Sequence, residues 1–145
     1  SALRFEAGSP NMLGQVAMHA SLELLLEFGM AGVEANVMDN SRTLLAALGG
    51  ISGVELALPY DPGRVSGIVS FRVHSKGSDS RQRESDPDKS ANLTLESHKA
   101  LKRVGIVCAL RGGAIRLAPH FYQAGQPLQR MLSDLETAVD GVRLR

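Results

Sequence analysis

Apolar positions along the chain change their period several times, and each change marks an element. From Asn11, the residues Leu13, Val16, Ala17, Ala20, Leu24, Leu25 and Phe28 recur at the i, i+3, i+4, i+7 spacing of an amphipathic helix. Ser9 or Asn11 can cap its orphan N–H groups, Pro10 suits a helix start and Gly29 supplies a stop. Val33, Val37, Leu44, Leu45 and Leu48 fall on one side of a second helix, which Gly49 and Gly50 end.

The period then drops to two. In "GVELALP", Val54, Leu56 and Leu58 alternate with Glu55 and Ala57, as in a strand with one buried face. "YDPGR" reads as a turn, and "VSGIVSFRV" as a second strand rich in β-branched residues, so Tyr60 to Arg64 is expected to join a hairpin. The following stretch is polar, mixed in charge and nearly free of large apolar groups. Such a stretch buries too little surface to offset its ordering entropy, and a mobile polar loop is expected over 75–90.

A third helix is expected from about Asn92 to Val104, with Leu93, Ser97, Ala100, Leu101 and Val104 inward. "GIVCAL" and "AIRLA" read as strands joined by a tight turn at Arg111, Gly112 and Gly113. The last helix opens at Pro127 and is periodic through Leu128, Met131, Leu132, Leu135, Ala138, Val139 and Val142. The order ααββαββα predicts an α+β fold, an α/β sandwich of a small, mostly antiparallel four-stranded sheet with helices on one face.

Length is compatible with a single domain spanning all 145 residues. A domain of that size buries roughly 68–70% of the surface of its unfolded chain, so it needs no disulfide or metal staple. Net charge is +1, from 16 basic and 15 acidic residues, which argues against a nucleic-acid or membrane-surface role driven by bulk charge. No apolar run approaches the ~20 residues that span a bilayer. Cys108 is the single cysteine and has no partner for an internal disulfide, so a cytoplasmic setting is expected. The chain opens "SALRFEAGSPN", without an initiator methionine, and the expectation is an excised domain.

Candidate chemistry is sparse. The chain has no phosphate loop of the Walker type and no nucleophile elbow, and His19, His74, His98 and His120 lack metal-ligand spacing. Arg116 stands inside an apolar strand between Ile115 and Leu117. Either the strand alternates and Arg116 meets water, or its planar fork is held there to bind a carboxylate. "GSPN" is either an ordinary helix cap or the start of an anion site. Cys108 is either a small hydrophobe in a strand or a nucleophile, and no basic neighbour in sequence lowers its pKa.

"RFEAGSPN", "SGIVSFRV" and "GIVCALRGGAIRLAPHFY", in this order, resemble the C-terminal small domain of the class V aminotransferases. That family comprises pyridoxal-phosphate (PLP) enzymes of fold type I, and the likeness is greatest to its isopenicillin-N-epimerase-like and cysteine-desulfurase-like members. The resemblance implies that Ser9, with Asn11 beside it, contributes to the cofactor phosphate site, and that Arg116 binds the α-carboxylate of an amino-acid substrate. It implies a PLP-bearing large domain, absent from this chain, a homodimeric parent and an isolated fragment without activity. Two features depart from the family: "YQAGQP" stands where it commonly continues "YNT", which puts Gln123 at the Asn position, and Cys108 does not match the desulfurase nucleophile. The rival from residues alone is a stand-alone ligand-binding, regulatory or dimerisation module. A small cysteine hydrolase would require a reactive Cys108.

Overall fold

A computed structural model describes Arg4 and residues 8–75, 87–123 and 125–143. The elements run α1 (Met12–Phe28), α2 (Met30–Gly50), β1 (Val54–Leu56), β2 (Val69–Val73), α3 (Pro87–Arg103), β3 (Ala109–Arg111), β4 (Ala114–Leu117) and α4 (Gln126–Arg143). This is the expected ααββαββα order. The residues group into two compact units, Ser1–Glu34 and Ala35–Arg145.

The first unit holds α1 and the opening turn of α2. Asn11 caps α1: its side chain accepts from the Gly14 N–H at 2.9 Å. Gly29 ends the helix at φ +89°, a left-handed conformation that glycine adopts without steric cost. Helix α1 contains no buried residue, and its apolar stripe, with Leu13, Val16, Leu24 and Phe28, is exposed. Met12, Met18, Leu22 and Leu26 fill the positions between the stripe, and all four are exposed, so the helix is apolar nearly all round.

The second unit is built on a four-stranded antiparallel sheet of order β1-β2-β4-β3. Residues of alternate parity share a face of a strand. Val69, Phe71 and Val73 of β2 and Ile115 and Leu117 of β4 are all buried and enter one core cluster. Leu44 and Leu48 of α2, Leu101 of α3, and Leu128, Leu135 and Val139 of α4 complete that cluster. Helices therefore cover one face of the sheet, as the apolar stripes require.

Several boundaries differ from expectation. Strand β1 stops at Leu56 and Leu58 is 78% exposed. Pro59 follows, has no N–H to donate and biases its neighbour, so pairing ends before it. Asp61 caps a 3₁₀ turn at Pro62–Arg64 within the connection to β2. Strand β2 begins only at Val69, and β3 only at Ala109; Val107 is 95% exposed. Helix α3 starts at Pro87, so the last four residues of the expected 75–90 loop are helical. Residues 76–86 of that loop lie outside the described residues. Val104, expected inward, follows the helix and is half exposed, whereas Thr94 is buried and accepts from the Val73 N–H at 3.0 Å.

Candidate functional site

Strand β4 lies inside the sheet, paired on both sides, and its four residues alternate between faces. Ile115 and Leu117 point into the core at 0% and 3% exposure, which turns Arg116 to the face away from it, half-buried. The strand alternation offered by the sequence is therefore present. Arg116 stands opposite Ser70 of β2 and Ala109 of β3, so its backbone is fixed from both sides. Its side chain has no partner among the described residues. A guanidinium so placed is a donor fork on a rigid strand, which is the arrangement that orients a carboxylate bidentately.

The same face carries two further guanidiniums. Arg111 pairs with Ala114, and Arg72 lies two residues beyond Ser70 on β2, on the same side as Arg116. Arg72 Nη2 donates to the Gly112 carbonyl at 3.4 Å, which carries its side chain to the β3–β4 turn. That turn has two residues, Gly112 at φ +57° and Gly113 at φ +71°, the geometry of a type I′ hairpin. The strands bring one carboxylate to this face, Glu55 of β1; it stands directly opposite Arg72, and its Oε2 lies 2.8 Å from His74 Nε2. His74 Nδ1 lies 2.9 Å from Ser90 Oγ in the first turns of α3. Ser70, Arg72 and Arg111 were not singled out by sequence reasoning. Parity along "SFRV" would have found the first two, and the register of the Gly-Gly turn the third.

An open pocket of about 630 Å³ lies elsewhere, lined by Leu117, Ile106, Leu128 and Met131 with Arg130 and Asp134. Leu117 puts it on the helix side of the sheet, away from Arg116. The loop after β4 is tied to α2: Asn40, 2% exposed, donates Nδ2 to the His120 carbonyl at 2.9 Å, and Asn36 donates to the Phe121 carbonyl at 3.3 Å. Gln123, the residue at the family's Asn position, caps this loop by accepting from the His120 N–H at 2.7 Å.

Ser9 and Asn11 belong to the first unit and Arg116 to the second. Ser9 is exposed, in coil just ahead of α1, with no partner for its hydroxyl among the described residues. Asn11 commits Oδ1 to the cap, which leaves its amide N–H groups as the part able to meet an anion. Cys108 lies just before β3, half-buried, and burial pushes its thiol above the ordinary value, with Lys102 acting weakly in the opposite direction. A thiol held protonated is a poor nucleophile, so Cys108 lacks the electrostatics of a catalytic cysteine. Lys99 is bound to Glu96 at 2.7 Å.

The aminotransferase class-V family matches residues 1–117, and the chain belongs to that family. The matched stretch contains Ser9, Asn11 and Arg116. The chain is 26% identical over 143 residues to a probable cysteine desulfurase of Methanothermobacter thermautotrophicus, covering 92% of this chain and 33% of that protein. It is 28% identical over 137 residues to the uncharacterized aminotransferase YcbU of Bacillus subtilis, covering 92% and 31%. A probable cysteine desulfurase of Pyrococcus abyssi is 27% identical over 151 residues, covering 97% and 34%. The chain thus spans about a third of the length of the curated relatives it matches. No solved structure matches it significantly.

Proposed function

We propose that this chain is the small domain of a PLP-dependent enzyme acting on an amino acid, in which Arg116 holds the substrate α-carboxylate. The observation that carries the reading is Arg116 itself: a guanidinium without a partner, fixed on an interior strand and turned away from the core. Of the PLP molecule, the chain offers groups suited to the phosphate end. The Ser9 hydroxyl and the Asn11 amide stand beside the start of α1, where the helix dipole favours an anion. Lys99 is engaged with Glu96. The lysine-bearing large domain supplies the rest on this reading, and the chain alone is inactive. When bound, PLP supplies the electron sink for bond breaking at the substrate α-carbon.

The work of this chain's residues is orientation. Arg116 fixes the carboxylate, so the bond to be broken is presented in one direction, and correct presentation lowers a barrier substantially. The reading includes a homodimeric, cytoplasmic parent. The exposed apolar side chains of α1 support contact with further protein, since an exposed apolar surface of this kind marks an interaction site. The full-length gene product, purified with PLP, should show the visible absorbance band of the bound cofactor. Ser9→Ala should weaken PLP retention without unfolding the protein. A full-length product that takes up no PLP contradicts the reading and favours a stand-alone binding module.

A further inference from the structure

Three guanidiniums and one carboxylate share the open face of the sheet: Arg72, Arg111 and Arg116, with Glu55 of β1 directly opposite Arg72. Arg72 and Arg111 sit on the strands either side of Ala114, and Arg116 is two residues along β4. Each is therefore a diagonal neighbour of Arg116, with Cα atoms about 7–8 Å apart, within reach of long side chains. The contact of Arg72 with the Gly112 carbonyl draws its side chain across the end of β4 toward the hairpin that carries Arg111. Ala114 between them is only 4% exposed although it belongs to the open face. Like charges gathered on one face of a sheet are unfavourable without a counter-anion. Glu55, opposite Arg72 and hydrogen-bonded to His74, brings one negative charge at the β1 side, which leaves the face with an excess of positive charge, and neither Arg111 nor Arg116 has a partner among the described residues.

We infer that this face reads a second negative charge on the substrate: an amino acid whose side chain ends in a carboxylate or a comparable oxyanion. The inference rests on the reading of Arg116 as the α-carboxylate anchor. Arg116 takes the α-carboxylate, and Arg72 with Arg111 takes the side-chain anion near the β3–β4 turn. Ser70, directly opposite Arg116, adds a hydroxyl at the α-carboxylate end. The Gly-Gly turn lets the chain reverse tightly at the end of the sheet that carries Arg72 and Arg111, and its Gly112 carbonyl accepts from Arg72 Nη2.

Calorimetric titration of the full-length gene product with L-glutamate and with L-norvaline, which carries a methyl group in place of the second carboxylate, tests this. The wild type is expected to bind L-glutamate roughly tenfold more tightly, since charge-assisted bonds at half-exposed arginines are weakened by solvent. Arg111→Ala and Arg72→Gln should each reduce that preference while leaving L-norvaline binding unchanged, which also shows that the variants fold. The preference should shrink as salt is raised, unlike a packing effect. Equal affinity for the two amino acids, or a preference that survives in both variants, overturns the inference and leaves Arg116 as anchor. L-norvaline binding that is absent, or unaffected by Arg116→Ala, overturns the anchor reading and the inference with it.

Discussion

Ser70 lies directly opposite Arg116 in the antiparallel pairing of β2 with β4, on the face of the sheet turned away from the helices. The neighbours of both residues, Phe71 and Ile115, are also paired and are completely buried. One register thus does two things: it locks the largest core side chain of β2 against β4, and it holds a serine and a free guanidinium side by side outside the core. Slippage by one residue would exchange the two faces.

The hairpin that follows from this register depends on glycine. Gly112 and Gly113 both have left-handed φ angles, and no Cβ at either would meet another atom within 4 Å. The cost of substitution is therefore conformational and not steric. Gly113→Ala should destabilise the protein by about 1 kcal/mol, and Gly112→Asn by less, because Asn tolerates this conformation. Urea midpoints at constant slope measure both.

Asn40 should matter more than its distance in sequence from Arg116 indicates. Its amide satisfies the His120 carbonyl from a buried position on α2, three residues after β4 ends. Asn40→Ala removes one of that carbonyl's two donors, the Gln123 N–H being the other, and should cost about 0.5–1.5 kcal/mol. Hydrogen exchange should show loss of protection at the loop following β4, beginning with the Gln123 N–H that bonds to the same carbonyl at 3.1 Å.

Cys108 gives a pH dependence with a definite sign. Burial raises its thiol pKa in the folded protein, so the unfolded chain releases this proton first. The associated stability is present below the ordinary thiol value of about 8.5 and is lost as pH rises through the raised value. Cys108→Ser should flatten the alkaline fall in stability. At neutral pH, alkylation of the native thiol should be slower than in urea, and the substitution should leave amino-acid binding intact.

His74 joins three elements: its ring meets Glu55 on β1 and Ser90 on α3 while its backbone continues β2. His74→Ala should lower stability by about 1–2 kcal/mol through the two lost side-chain bonds. The effect should concentrate at the start of α3, read by amide exchange there, with the core of α3 near Leu101 unaffected.

Element order, the covered face of the sheet and the tight Gly-Gly turn were legible because each rests on a local signal: a period of 3.6, a period of two, or glycine where φ must be positive. The start of α3 was not, because its first turns are polar and the stripe begins only at Leu93. Pro87 and Asp88 were the usable signal, a proline and an acid in the first turn of a helix. In α1 the stripe was legible as amphipathic, but Met12, Met18, Leu22 and Leu26 outside it are also apolar and exposed, so the pattern alone does not say what the helix packs against. Arg116 was legible as a question, since it interrupts an apolar strand. Arg72 and Arg111 became its companions only through strand pairing, which joins residues far apart in sequence.

The anchoring role of Arg116 is tested most directly by the affinity of the full-length gene product for L-norvaline and for n-butylamine, the same molecule without its carboxylate. Arg116→Ala should weaken L-norvaline binding by about tenfold to a hundredfold, the loss of a charge-assisted bond, and leave n-butylamine binding unchanged. Unchanged L-norvaline affinity in the variant would contradict the account and return Arg116 to an ordinary surface position on its strand.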